Sequence, residues 1–165
     1  MRVFILSLGF LLSGVWLNIV FNHYFQIGGL KINWLLMFML VLTIRHSDVS
    51  LPFVGVFAGL FSDALSHGIM GIYGISFFVT LLLSRQLKNI FYANTFFAVS
   101  LAVLAMSILE GWISLTIMGL LEPDFDQLSL VLSSTLPLAV LQGLLTPAIM
   151  QCVIWGETYF LKEVA

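Results

Sequence analysis

Long apolar runs fill nearly the whole chain, and only short polar breaks interrupt them. A bilayer's hydrocarbon core is about 30 Å thick and takes about 20 helical residues to cross. Six segments approach that length, at roughly 3–22, 30–44, 51–66, 68–84, 93–120 and 131–156. The breaks fall at Gly28-Gly29, Arg45–Ser50, Ser66-His67-Gly68, Arg85–Tyr92 and Glu122–Gln127. Of 165 residues, 61% are hydrophobic and 8% are charged. A soluble domain carries about 25% charged residues, so little polar surface is left to keep such a chain dissolved. The expected fold is an all-α integral membrane protein, one domain over residues 1–165 with six transmembrane helices. The third and fourth helices are expected to be short with almost no loop between them. The fifth is longer than needed, so it is expected to tilt or to be interrupted near Glu110-Gly111.

The N-terminal run from Val3 to Phe21 follows Arg2 and is about 19 residues long, beyond the 7–15 of a signal-peptide core. Its flank Asn22-His23-Tyr24-Phe25 offers no small-x-small cleavage pattern, so it reads as a retained first span. With the N-terminus inside, the inner segments hold Arg2, Arg45, Arg85, Lys88 and Lys162, and the outer ones only Lys31. That asymmetry obeys the positive-inside rule and places both termini in the cytoplasm. The acidic segment Glu122-Pro123-Asp124-Phe125-Asp126 then faces outward. A net charge of −2 and the absence of a basic run point away from nucleic acid as a partner.

Against this background one block stands out: Gly55, Gly59, Asp63 and His67 recur every four residues and share one helical face. The glycines make a smooth stripe on which another helix or a partner packs closely. Gly68, Gly71 and Tyr73 follow at once. A carboxylate inside a bilayer costs roughly 2.5–3.5 kcal/mol on insertion scales, so Asp63 needs compensation. Two roles are open to it. It can accept from the unpaired first amides of the fourth helix, near Gly68 to Gly71, with Ser66 as an alternative cap. It can also line an outward pocket with His67 and Glu110, or meet a partner.

Glu110 is the second acid within a span, beside Gly111 and Trp112, and no Lys or Arg is placed to pair with either acid. Each must be protonated, hydrated or bonded to backbone and hydroxyl groups. Glu110 can alternatively sit near the outer interface, with Trp112 as its anchor. In the last helix Pro137 and Pro147 free backbone carbonyls and bend the rod, while Gln142 and Gln151 can bond between helices. No metal, cofactor or catalytic site is expected. Cys152 is alone, and His67 with Asp63 makes only half a metal site. His46 falls on the opposite side, no Ser lies in a Gly-x-Ser-x-Gly turn, and Gly28-Gly29 lacks the Lys-Ser/Thr of a phosphate loop.

The residues Leu51-Pro52-Phe53, Gly55, Ala58-Gly59-Leu60, Asp63 and Gly71-Ile72-Tyr73 resemble the signature of the rod shape-determining protein MreD family. The chain's length, span count and the block's central position agree with that family. Lys31-Ile32-Asn33 departs from the Pro-Asp-like pair with which the family often starts its second span. The resemblance implies a non-enzymatic component of the bacterial cell-wall elongation complex in the inner membrane. It would act with MreC directly, and with MreB, RodA and its transpeptidase in the wider assembly. It also implies a fold similar to the six-helix substrate-binding subunits of energy-coupling factor transporters. A small-molecule-binding subunit of such a transporter, resting on the short third and fourth spans and the outward acids, is the alternative expectation.

Overall fold

The computed structural model describes residues 2–24, 32–46, 48–66, 69–87, 95–121 and 131–162. Among them the chain forms six α-helices and no strand: α1 (Arg2–Tyr24), α2 (Trp34–His46), α3 (Leu51–Ser66), α4 (Ile72–Leu87), α5 (Phe96–Leu121) and α6 (Leu136–Lys162). A π-helical turn, Val131–Thr135, leads into α6. By length and composition α5 and α6 are each apolar enough to cross a membrane.

α2 is the axis of the molecule. Its sequence, Trp34-Leu35-Leu36-Met37-Phe38-Met39-Leu40-Val41-Leu42, is apolar on every side, the pattern of a helix buried all round. Every residue from Trp34 to Ile44 is buried. Among the described residues α2 is the only helix to touch all five others, and those five close a ring around it in the order α1, α3, α4, α5, α6. The helix begins at Trp34 rather than at residue 30, because Asn33 caps it: Leu36 N–H donates to Asn33 Oδ1 at 3.3 Å and Met37 N–H to Asn33 C=O at 3.2 Å. Asn18 of α1 also receives the Trp34 N–H, at 3.4 Å.

The outer helices bury polar as well as apolar side chains and leave many large apolar ones exposed. α3 turns Leu51, Val54, Ala58, Ser62 and Asp63 inward, and leaves Phe53 and Phe57 about 60% exposed. α4 buries Ser76, Thr80 and Ser84, and α6 buries Gln142 and Thr146. Trp16, Phe97, Leu144 and Trp155 all face outward. Cys152 faces outward as well.

Some expected boundaries move. α4 starts at Ile72 rather than 68, so five residues, not almost none, separate it from α3. α6 continues past residue 156 to Lys162. Of the two expectations for the fifth segment, tilt or interruption near Glu110-Gly111, the interruption is absent: α5 runs through as one helix. Gly111 is tolerated there because it touches the π-helical turn: a Cβ at that position would collide with the Thr135 methyl.

The end of the ring that holds the start of α3 carries, among the described residues, the Arg45–Glu157 ion pair with His46 beside it. Glu157 accepts from Arg45 Nη2 at 2.7 Å and Arg45 Nε at 3.0 Å, and its Oε1 lies 2.8 Å from His46 Nε2. This bidentate pair ties the end of α2 to the end of α6, elements 112 residues apart.

Candidate functional site

The site is built at the opposite end, around the α3–α4 hairpin. The hairpin is antiparallel: Gly55 meets Leu81, and Gly59 meets the Tyr73–Gly74 backbone. The two glycines differ in what they permit. A Cβ on Gly59 would run into the Tyr73 carbonyl and lie 2.6 Å from Gly74 Cα, whereas one on Gly55 would meet only the end of the Leu81 side chain. Gly59 is therefore where the two backbones come together.

One turn further on, Asp63 is 2% exposed and reaches across to the start of α4. Gly71 N–H donates to its Oδ2 at 2.8 Å and Tyr73 N–H to its Oδ1 at 3.2 Å. These amides precede or open α4 and have no intrahelical acceptor, so the carboxylate supplies one and sits at the positive end of the helix dipole. The acceptor site lies at Gly71 and Tyr73 rather than nearer Gly68, because the helix starts later. Gly71 has φ +103°, a left-handed conformation that L side chains seldom adopt, and this lets the chain turn into α4. Gly68 and His67 lie outside the described residues, as does the side chain of Ser66.

Tyr73 stacks edge-on against Phe77 and borders a cavity of about 320 Å³. The cavity opens between the tip of α3, the first turn of α4, the second half of α5, the π-helical turn and the start of α6. Asp63 and Glu110 both line it, so the two acids share one space. Glu110 is buried, and Trp112, two residues on, is 57% exposed.

The polar wall is a stripe on α5: Ser107, Glu110 and Ser114 fall at spacings of three and four and project to one side. Ser114 Oγ lies 2.9 Å from Glu110 Oε1 and 2.9 Å from Ser76 Oγ of α4, and Ser76 donates onward to Ile72 C=O at 2.8 Å. This chain ties α5 to α4 beside the cavity. Ser107 Oγ is buried and has no hydrogen-bond partner among the described residues. Gln142 and Thr135 add amide and hydroxyl groups from the opposite side, and Ile72, Met118 and Leu138 supply the apolar wall.

Sequence reasoning singled out Asp63, Glu110, Tyr73 and Gln142 but missed Ser76, Ser107 and Ser114. The i, i+3, i+7 repeat of polar groups in α5 was the available signal. It is weak, because serines are frequent throughout the chain. Among the described residues no group of three or more His, Cys, Asp or Glu side chains can hold a metal. Chemically the site can accept hydrogen bonds from a buried guest and enclose an apolar body. No family model, curated protein or solved structure matches the chain.

Proposed function

We propose that the chain is a six-span integral membrane protein of the MreD kind, a non-enzymatic scaffold in the bacterial inner membrane that acts with MreC in cell-wall elongation. The observation that carries this reading is the α3–α4 hairpin. The residues that make the family resemblance are the ones that hold it together: Gly59 at the backbone contact, Asp63 across to Gly71 and Tyr73, and Gly71 at the turn. A signature spent on shaping a hairpin suits a protein whose product is a surface for a partner.

Embedding of all six helices in lipid is supported by the outward-facing aromatics and leucines and the inward-facing hydroxyls and carboxyls. The short α2, about 20 Å long by its 13 residues, fits because its neighbours shield it from lipid on every side. Arg45 and Arg85 at one end then mark the cytoplasmic face. The wider assembly with MreB, RodA and its transpeptidase belongs to the same proposal, as does the likeness to energy-coupling factor subunits.

Depletion in a rod-shaped host is the direct test, with rounding of the cells as the expected result; rods that persist after loss of the protein overturn the reading. Co-purification with MreC, with photo-crosslinkers at exposed α3 and α4 positions such as Phe57 and Ile75, then maps the contact. A second reading, a small-molecule-binding transporter subunit, draws on the cavity beside Glu110. It predicts a ligand that survives purification and a host that keeps its rod shape without the protein.

A further inference from the structure

We infer that the cavity between α3, α4, α5 and α6 is a binding site for a small organic cation: an amine with an apolar body. Its volume of about 320 Å³ falls at the lower end of ordinary ligand sites and would hold roughly ten waters at about 30 Å³ each. The lining selects the charge of the guest. Two carboxyl groups, Asp63 and Glu110, border the space and no Lys, Arg or His does so among the described residues. An anion would find no cationic side chain to pair with among the described lining residues.

Asp63 already accepts from two backbone amides, whereas Glu110 has a single described neighbour, Ser114, at Oε1. Its Oε2 is left for a donor from the guest. The second, independent sign is Ser107. Its side chain belongs to a residue only 4% exposed, it borders the cavity, and its hydroxyl has no partner among the described residues. A buried hydroxyl without a partner costs about 1–3 kcal/mol, so such groups are normally satisfied by something that occupies the space beside them. Ser107 and Glu110 lie one helical turn apart, so one ammonium group can donate to both. Ile72, Met118 and Leu138 across the cavity then enclose a ring or a short alkyl chain.

The inference adds a ligand to either functional reading and depends on neither. Loss of cation binding would leave the cell-shape test to decide the scaffold role on its own.

Full-length protein in lipid nanodiscs is titrated with tyramine, and in parallel with 4-hydroxyphenylethanol and 4-hydroxyphenylacetate, which keep the ring and change the charge. Calorimetry reads the binding. The expected result is saturable binding of tyramine alone, weakened roughly tenfold or more by Glu110→Gln, the size of one charge-assisted hydrogen bond. Ser107→Ala should weaken it several-fold while leaving the melting temperature unchanged or higher, since it removes an unsatisfied hydroxyl. Glu110→Gln protein is compared only if it elutes and melts as wild type; if it does not, Ser107→Ala and the three ring compounds decide. Equal binding of the alcohol or the acid, tyramine affinity untouched by Ser107→Ala, or no saturable binding overturns the proposal. So does mass spectrometry that finds the cavity held by a phospholipid that tyramine does not displace.

Discussion

Asp63 concentrates the local physics of this protein in one side chain. It is buried, yet both oxygens accept from amides that α4 cannot satisfy internally. Hydrogen bonds to a charged group are worth about 1.5–3 kcal/mol each. Asp63→Ala leaves both amides stranded and is expected to cost about 2–4 kcal/mol. Asp63→Asn keeps one acceptor oxygen and should lose about half of that. Asp126→Ala, in the acidic segment between α5 and α6, should change little. Unfolding by denaturant in detergent measures all three, and a ranking in which Asp126→Ala equals Asp63→Ala would refute the capping role. The same series applied to MreC co-purification asks whether the hairpin's shape matters to the proposed partner.

At the scale of elements, the two glycines of α3 separate packing from flexibility. Alanine in place of glycine favours a helix by about 1 kcal/mol. At Gly55 the added methyl meets a leucine tip that can rotate away, so Gly55→Ala should be near neutral. At Gly59 the methyl meets backbone of α4, which moves only if the helices part. Overpacking of that kind costs about 1–3 kcal/mol. Gly59→Ala should therefore lower the melting temperature while Gly55→Ala holds or raises it; equal shifts would show that the stripe is not a backbone contact. The comparison also explains why a glycine stripe read from spacing alone is ambiguous. Two positions four residues apart face the same neighbour, and only one touches main chain.

For the whole molecule, the decisive arrangement is five helices around α2, tied at one end by Arg45, His46 and Glu157 and at the other by Asp63. Removing Glu157 leaves the Arg45 guanidinium and the His46 ring without their shared acceptor in a partly buried space, so Glu157→Ala should destabilise more than Arg45→Ala or His46→Ala. A double-mutant cycle on Arg45 and Glu157 should give a coupling of about 1–3 kcal/mol, because the pair is bidentate and mostly shielded. Additive single effects would show that the contact holds nothing together. The proposed six-span arrangement makes a separate prediction. In a Cys152→Ala background, Met70→Cys at the hairpin tip should react with an impermeant thiol reagent on intact cells. Val49→Cys, at the opposite end, should react only after permeabilisation. Labelling of both from one side would overturn the arrangement.

What the sequence determined by itself was the chemistry of the elements. Six apolar segments, the polar breaks between them and the charge asymmetry follow from composition along the chain, and the helices fall where those runs lie. The all-round apolar face of α2 was equally visible, but that it is the axis was not, because a helix apolar on every side is equally at home in lipid and in a core. Asp63 as a cap was legible because acid and helix start lie in one hairpin, within ten residues of each other. Tertiary structure alone decided that Glu110 shares its cavity, that Ser107, Ser114 and Ser76 line up beside it, and that Glu157 reaches Arg45 across 112 residues. These are contacts between helices distant in sequence. They depend on which face of each rod turns inward, and with hydroxyls on several faces of the same helices no periodicity in the chain could choose among them.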